Sequence, residues 1–312
     1  MEKLPRKLLV GLSFTDDPLD PDFGLVAPDS RLVEQAIWYA KKVGGSLRFV
    51  HVIEGHDFAL PGYDRSVNTI TRDRAEPVLA EAVSDAKDAG VEATYELLEA
   101  ERAWYTIAKL AHDNADELVV VGPRRSDQPW LDRLVHGSTA RRLLRKCPTP
   151  VWVCHPRERL DIQRVLVPTE FQPIATELAS VGDAFHRELG AERFILHCAT
   201  YPGLIGAHRS SDPETSVAEY RNSVIEEISE KFDALLGHDE REAWHTLISD
   251  ESVEEAVDTV AAAEDIDLII MGTIGRAGIA GLVMGNAAER VLSQVTTPVW
   301  VVKPVGWVSP FS

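Results

Sequence analysis

The sequence contains little cysteine and no long apolar segment. Its three cysteines, Cys147, Cys154 and Cys198, form no Cys-x-x-Cys pair, and such an odd, sparse set predicts reduced thiols in a cytoplasm rather than a disulfide framework. The apolar stretch between Lys3 and Phe14 is too short for a secretory signal. No apolar run approaches the roughly 18 residues of a membrane-spanning helix. We therefore expect a cytoplasmic protein that does not cross a membrane.

Positive charge is scarce as well. Lys and Arg number 32 against 50 Asp and Glu, which gives a formal net charge of −18, and no stretch gathers the cations into a lasting basic face. Binding to a nucleic-acid backbone or to an anionic membrane surface needs local positive charge. We therefore expect neither of these as a partner. Acidic clusters such as Glu251–Glu255 are interpreted as solvated faces of helices.

Signatures of catalysis are missing too. The ten histidines include no His-Glu-x-x-His spacing that would place two metal ligands on one helical face. No Gly-x-Ser-x-Gly elbow offers a serine nucleophile. Cys198 is open to two interpretations, a reactive thiol or an ordinary small apolar side chain, and its setting favours the second. The sequence predicts no catalytic residue and no metal ligand.

What the sequence does contain is one pattern that occurs twice. Four short segments of the first half return in the same order roughly 150 residues further on. The recurring pairs are Leu8–Gly11 with Val165–Pro168, Val50–Val52 with Leu196–Cys198, Leu118–Gly122 with Leu268–Gly272, and Thr149–Val153 with Thr297–Val301. The length of 312 residues also fits two domains of about 150 residues each. We predict tandem domains of residues 1–158 and 159–312, with the polar stretch 155–163 as the linker.

Each copy alternates short apolar segments with longer amphipathic ones. Apolar strands without polar alternation are buried on both faces, which is typical of a parallel sheet with helices on each side. Right-handed crossovers then give a doubly wound α/β fold whose ligand crevice lies at the carboxyl ends of the strands. We expect five strands in each copy, and helices that include Arg72–Asp88 and Ala287–Gln294. His51 and His197 share one repeat position inside strands, so we predict buried, hydrogen-bonded core residues.

A glycine-rich segment follows the fourth strand of the second copy. It has the spacing Gly-x2-Gly-x9-Gly-Asn between a buried strand and a helix. Glycines let backbone N–H groups approach an anion closely, and the first N–H groups of a helix have no partners inside it. The segment therefore predicts a phosphate site, with Arg276 adding charge. The candidate residues are Met271, Gly272, Gly275, Arg276, Gly285, Asn286 and Ala287.

The same segment has other interpretations. Asn286 stands where a helix N-cap belongs and Glu289 follows at the capping-box position, so a plain set of turn glycines with an ordinary capping Asn stays open as a structural alternative. A dinucleotide fingerprint is disfavoured because its glycines follow the first strand of the fold. A P-loop is absent because no Lys-Ser or Lys-Thr pair closes the segment.

The order of strand, Gly-x2-Gly-x9-Gly-Asn segment, helix and Thr-Pro-Val strand resembles the universal stress protein family. The tandem arrangement over nearly the whole chain is similar to the two-domain, E-type members of that family. The resemblance implies a five-stranded parallel sheet in each half and, for one subgroup, ATP held by this loop. It also implies association through the last strands, Val151–Cys154 and Val299–Val302, as a pseudo-dimer within the chain. Homo-oligomers of the whole chain are left open.

The site residues of the family carry over onto the second copy. The phosphate side matches Gly272, Gly275 and Gly285, with Asn286 in the Ser/Thr/Asn position. The adenine-side Asp of the family follows a Pro-x pair, and here Pro168 and Thr169 lead into Glu170. Cys198 follows the second-strand His, at the position that lines the base pocket. Glu is one methylene longer than Asp, which either spoils the adenine contact or selects another base.

The first copy departs further from the family pattern. Gly122 and Gly137 remain, but Arg125 replaces the middle glycine, two extra residues lengthen the loop, and Ser13 stands at the Asp position. A side chain where the backbone must approach a phosphate blocks that pose. We therefore expect no nucleotide in this half, and a structural or regulatory role instead. The segment 128–131 is predicted to be packed core, with a lid or a partner contact as the alternative.

The sequence supports two functions. In the first, a stress-response protein binds ATP, with or without Mg²⁺, in its C-terminal domain only and as a regulatory ligand. Hydrolysis is slow at most, because no general base or nucleophile stands near the loop. In the second, the chain is a nucleotide-independent scaffold for unknown regulatory protein partners, or it binds another phosphate-bearing ligand. Enzymes of related nucleotidyl-transfer folds need an activating Lys or a His-x-Gly-His signature, and neither occurs.

Overall fold

Strands and helices alternate through the described part of the chain. The computed structural model describes residues 3–14, 22, 24–25, 27–54, 63–122, 139–155, 159–203, 213–273 and 285–304. The first half comprises β1 Lys7–Gly11, α1 Ala27–Val43, β2 Ser46–Glu54, α2 Tyr63–Asp88, β3 Glu92–Ala100, α3 Ala103–Asp113, β4 Leu118–Val121, α4 Thr139–Lys146 and β5 Val151–Val153. The second half comprises β6 Arg164–Pro168, α5 Ala175–Leu189, β7 Glu192–Cys198, α6 Pro213–Leu236, α7 His238–Arg241, β8 His245–Ser249, α8 Val253–Ala263, β9 Leu268–Gly272, α9 Asn286–Gln294 and β10 Val299–Val302.

The strands of the two halves form one continuous sheet. Their order is β3-β2-β1-β4-β5-β10-β9-β6-β7-β8. Strand pairs within each half are parallel, whereas β5 and β10 pair antiparallel and place Trp152 opposite Trp300. The last strands of the two copies are therefore joined, as the family resemblance implies. The proposed domain boundary at residue 158 lies outside the described residues, and the division at that point stays a prediction.

Helices cover both faces of the sheet, so its central strands are apolar on both sides. Every residue of β4 is buried, as are Leu268–Met271 of β9. This burial explains why the strands show no polar alternation, and the doubly wound α/β prediction is confirmed. The strand order reverses between β1 and β4 and again between β6 and β9. Such a reversal opens a crevice at the carboxyl ends of the two strands, so each half has one.

Four aromatic side chains hold the two halves together on one face of the sheet. The rings of Trp152 and Trp300 lie 5.9 Å apart, and Tyr39 of α1 lies 5.5 Å from Trp152. Phe185 of α5 packs edge-on against Trp300 at 5.4 Å. All four side chains are buried from solvent. Because each half contributes two of them, the junction is part of a shared hydrophobic core.

Two helices differ most from the sequence-based expectation. α2 begins at Tyr63, well before the predicted Arg72. Ser66, Asn68 and Thr71 have low helix propensity, but a formed helix extends readily because each added residue gains a hydrogen bond. α7 is a single turn and too short to show a helical period in the sequence. Among the described helices, none is long and apolar enough to span a bilayer.

Candidate functional site

The crevice of the second half lies where β6 and β9 end side by side. β6 ends at Pro168, β9 ends at Gly272, and α9 begins at Asn286. The end of β9 is closely packed, because a Cβ on Gly272 would lie 2.9 Å from Cδ1 of Ile174 at the start of α5 and would force that side chain to shift. The side chain of Met271 is buried and supports the strand end from inside the core. Close packing of α5 therefore shapes this edge of the sheet.

One hydrogen bond joins the two ends of the glycine loop. The N–H of Gly285 donates to the carbonyl of Thr273 at 2.8 Å. Gly285 is the N-cap of α9, with extended backbone angles (φ −61°, ψ 143°), and its carbonyl accepts the N–H of Glu289 at 3.0 Å. Having no side chain, Gly285 supplies no side-chain oxygen to the first-turn amides of α9. Gly275 and Arg276 lie outside the described residues.

The predicted N-cap of α9 is wrong by one residue. Gly285 occupies that position, and Asn286 and Ala287 are the first two residues of the helix. Glycine is also favoured at N-caps, so the local sequence does not decide between them. Glu289 is then one residue too far along for a capping box. It instead forms an ion pair with Arg145 of α4, in the first half of the chain.

The other wall of the crevice is built around Thr169. Its N–H donates to the carbonyl of Leu196 at 2.8 Å, and its Oγ1 accepts the N–H of Phe171 at 3.0 Å. Its carbonyl lies 2.8 Å from Nδ1 of His197. Phe171 has a positive φ of 54°, and its ring packs 4.6 Å from the His197 ring. These contacts fix the turn that carries Glu170, so Thr169 positions that residue.

The two repeat-related histidines have the same role. Nδ1 of His51 lies 2.9 Å from the carbonyl of Leu12, as His197 lies next to the carbonyl of Thr169. Burial lowers the pKa of His51. Both side chains are half-buried and not fully buried as predicted, whereas the predicted hydrogen bonding inside the strands is confirmed. Each ring joins the end of a central strand to its neighbour.

Cys198 ends β7, which lies beside β6 in the sheet. Its side chain is half-buried. Burial, followed by the negative charges of Glu251, Glu254 and Glu170, raises the pKa of the Cys198 thiol to about 11. The thiol is therefore protonated near neutral pH and is a poor nucleophile. The same carboxylates make this wall of the crevice acidic.

The comparison with known protein families decides which family has this architecture. The sequence profile of the universal stress protein family matches residues 24–155 and again residues 161–303. The chain belongs to the universal stress protein family. The first match includes β2 to β5 and the second includes β6 to β10. The second also includes every candidate site residue from Thr169 to Ala287.

Individual relatives support this assignment. A universal stress protein E homolog of Haemophilus influenzae is 30% identical over 188 residues, 57% of this chain and 60% of that relative. Universal stress protein E of Escherichia coli is 22% identical over 311 residues, 90% of this chain and 92% of its own length. The crystal structure of a universal stress protein from Archaeoglobus fulgidus has a TM-score of 0.63 at 18% identity, with 97% of this chain and 98% of that one covered. The last comparison shows a shared fold.

In this universal stress protein the first-half crevice is built differently. A Cβ on Gly122 would overlap Oδ1 of Asp29, in the first turn of α1. The Asp29 carboxylate accepts the N–H of Ser13, just beyond β1. Burial raises the pKa of Asp29 to about 7. In the first half the Asp29 carboxyl group therefore packs against Gly122. In the second half the apolar side chain of Ile174 packs against the matching Gly272. Arg125 lies outside the described residues.

Sequence reasoning missed one residue beside the second crevice, Lys303. It follows β10, its side chain is half-buried, and its Nζ donates to Oγ1 of Thr273 at 3.3 Å and to the carbonyl of Leu144. Burial lowers the pKa of Lys303 to about 7. The only signal in the sequence is a lysine directly after a wholly apolar strand, at the repeat position of His155. Nothing local connects that lysine to the glycine loop.

Proposed function

We propose that the second half of this universal stress protein binds an adenine nucleotide, ATP together with Mg²⁺, as a regulatory ligand. The observation that carries the proposal is the start of α9 at the crevice. There Gly285 is hydrogen-bonded to Thr273 and offers no capping side chain to the amides that follow. Such amides, at the positive end of the helix dipole, attract phosphate oxygens. Asn286 and Ala287 are the residues that would present them.

The base side supports adenine. The carboxylates of Glu170, Glu251 and Glu254 act electrostatically on Cys198, so they lie near this end of the crevice. Carboxylates accept hydrogen bonds but do not donate them. The exocyclic amino group of adenine is a donor, whereas uracil presents a carbonyl at the matching edge. We therefore propose that the acidic wall selects bases that carry an amino group, with Glu170 as the nearest counterpart of the Asp of the family.

Mg²⁺ in this proposal is held through the nucleotide. Among the described residues, no group of three or more His, Cys, Asp or Glu side chains is arranged to hold a metal ion. The cation would be held by the phosphate oxygens, where it offsets their negative charge. The protein residues then position the phosphates and the base.

We propose that the first half binds no nucleotide. Asp29 packs against Gly122 at the matching strand end, and its carboxyl group repels an anion when ionised. In the sequence Arg125 replaces the middle glycine of the loop. The first domain, residues 1–158, would then serve structure or regulation, and the second, residues 159–312, would hold the ligand.

In this proposal the bound nucleotide acts as a signal and is not a substrate that the protein turns over. The Cys198 thiol at the crevice has a raised pKa of about 11, so it offers no nucleophile at neutral pH. All three cysteines are unpaired in the structure, and we propose a cytoplasmic location on that basis. Regulatory proteins would read the nucleotide state. A nucleotide-independent scaffold is the competing function.

Freshly purified protein tests the proposal directly. Denaturation should release an adenine nucleotide that mass spectrometry identifies. Thermal unfolding should then shift upward with ATP and less with UTP, since a ligand at about 100 times its Kd adds about 2.7 kcal/mol. Gly275→Arg, which copies Arg125 of the first half, should abolish the shift. Gly137→Arg makes the same change in the first-half loop and should leave it intact.

Two results would overturn the proposal. One is the absence of both released nucleotide and a thermal shift, which favours the scaffold. The other is a full ATP shift in Gly275→Arg together with its loss in Gly137→Arg, which would move the site to the first half.

A further inference from the structure

Lys303 lies at the edge of the sheet where the glycine loop begins. Val302 pairs with Gly272 in the register of β10 and β9, so Lys303 is level with the residue after Gly272. Its Nζ is 3.3 Å from Oγ1 of Thr273. The carbonyl of Thr273 accepts the hydrogen bond from the N–H of Gly285. The ammonium group is therefore next to the residue that joins both ends of the loop.

The second contact of Lys303 reaches the first half of the chain. Its Nζ donates to the carbonyl of Leu144, in the last turn of α4. A helix would normally offer this carbonyl an amide four residues later, but Pro148 stands there and has no N–H. Lys303 supplies the missing donor. One side chain therefore links a helix end of the first half to the glycine loop of the second.

Lys303 is a basic side chain beside a crevice whose other wall is acidic. The chain carries a net charge of −18, and the base side of the crevice is lined by Glu170 and its acidic neighbours. A ligand with several phosphate charges binds more strongly where a cationic side chain lies close to its anionic end. Arg145 approaches α9 but is engaged in an ion pair with Glu289. The matching position of the first half, which lacks the glycine spacing, holds His155.

We propose that Lys303 is the cation of the second-half phosphate site, and that its ammonium group, bound to Leu144, couples phosphate binding there to the first half. The proposal rests on the proposed function and adds a residue and a regulation to it. Lys303 is a binding and positioning residue; no bond is made or broken.

Proton uptake gives the proposal a distinctive readout. Burial lowers the pKa of Lys303 to about 7. Among the residues that the structure describes, the groups near its Nζ include the Thr273 hydroxyl, the Leu144 carbonyl and the Cys147 thiol, and burial raises the pKa of Cys147 to about 11. None of the three is charged near pH 8. A bound phosphate favours the ammonium form and raises the pKa of Lys303, so binding takes up a proton above pH 7.

Calorimetric titration with ATP at pH 8, in two buffers of different ionisation enthalpy, measures that uptake. Wild type should take up more protons than Lys303→Met and bind about tenfold to a hundredfold more tightly. The titration of the nucleotide itself cancels, because every variant meets the same ligand. Lys303→Arg should recover much of the affinity but not the extra uptake, since arginine stays charged at this pH. Thr273→Val removes the hydroxyl contact and keeps the bond to Leu144.

The outcomes are separable. Equal affinity and equal proton uptake in wild type, Lys303→Met and Lys303→Arg would overturn the assignment of Lys303 while leaving nucleotide binding intact. Absence of any ATP binding by wild type would overturn the proposed function, and this inference with it. If Lys303→Met fails to fold because the α4 carbonyl loses its donor, Lys303→Arg decides: proton uptake equal to wild type would contradict the proposal.

Discussion

At the scale of single residues, Asp29 places a carboxyl group inside the first half. Burial raises the pKa of Asp29 from 3.8 to about 7, against the smaller opposing effect of its hydrogen bonds with Ser13. In the unfolded chain this group ionises near pH 4. Between pH 4 and 7 the unfolded state therefore loses a proton that the folded state keeps, and the free energy of unfolding decreases as the pH rises. Above pH 7 the free energy of unfolding decreases no further on account of Asp29, because the group is ionised in both states.

Asp29→Asn should remove this cost and keep an oxygen to accept the Ser13 N–H. At pH 8 we expect the free energy of unfolding of the variant to be higher than that of wild type by up to about 4 kcal/mol. The difference should disappear by pH 4. Urea unfolding at the two pH values measures it. Asp113→Asn, at an exposed position paired with Lys109, is the control and should change stability by less than about 0.5 kcal/mol. A variant less stable than wild type at pH 8 contradicts the assignment.

Which residues lie at the strand ends was predictable from the sequence. Thr169, Cys198 and Gly272 end apolar runs, and such runs are local features that show in the sequence. The roles of Asp29 and Lys303 were not predictable. Each depends on burial and on hydrogen bonds to residues distant in the chain, and neither residue type by itself indicates such a contact.

At the scale of elements, the packing of α5 depends on one glycine. A Cβ on Gly182 would lie 2.5 Å from Cη2 of Trp244. That ring is held in place, because its Nε1 donates to Asp183 at 3.2 Å and the Arg193 guanidinium lies 5.1 Å from it. The indole therefore has little room to move away.

Gly182→Ala should destabilise the protein by about 1–3 kcal/mol, although alanine favours a helix interior over glycine by about 1 kcal/mol. Chemical denaturation measures the change. Trp244→Leu makes room for the methyl group, so in that background the same substitution should cost less or become stabilising. Equal costs in both backgrounds would show that the ring is not the obstacle.

The register of α9 shows where element prediction reaches its limit. Its existence and its end at Gln294 follow from the apolar period, but Asn286 and Gly285 are both acceptable N-caps. Glu289 forms its ion pair with Arg145, which belongs to the other half of the chain. A capping box is inferred from four consecutive residues, so it takes no account of a partner that is distant in the sequence.

At the scale of the whole molecule, the two halves share one sheet and one aromatic cluster. The Trp300 ring contacts Trp152 and Tyr39 of the first half and Phe185 of its own half. On the opposite face, α4 and α9 are joined by the ion pair of Glu289 with Arg145. The junction therefore couples the folding of both halves.

Trp300→Ala should cost about 3–5 kcal/mol and loosen that coupling. We expect denaturation followed by circular dichroism to separate into two transitions, where wild type shows one. Tyr105→Ala removes an aromatic ring that is 44% exposed and should cost less than about 1 kcal/mol. A single transition at the wild-type midpoint in Trp300→Ala would mean that the cluster does not hold the halves together.

The sequence repeat predicted two copies of one fold, because recurring segments such as Thr149–Val153 and Thr297–Val301 reveal it without any structural information. The pairing of those strands was implied by the family resemblance. The cross-half contacts of Lys303 with Leu144 and of Glu289 with Arg145 were not predictable, since the copies differ at these positions and the repeat carries no information about them.

Hydrogen exchange with and without ATP tests most directly the claim that the amides at the start of α9 bind a phosphate-bearing ligand. The result we predict is slower exchange at Asn286, Ala287 and Ala288 when ATP is present, with no change at the start of α4, residues 139–141, in the first half. Unchanged exchange at the start of α9 under saturating ATP, or protection confined to α4, would contradict it.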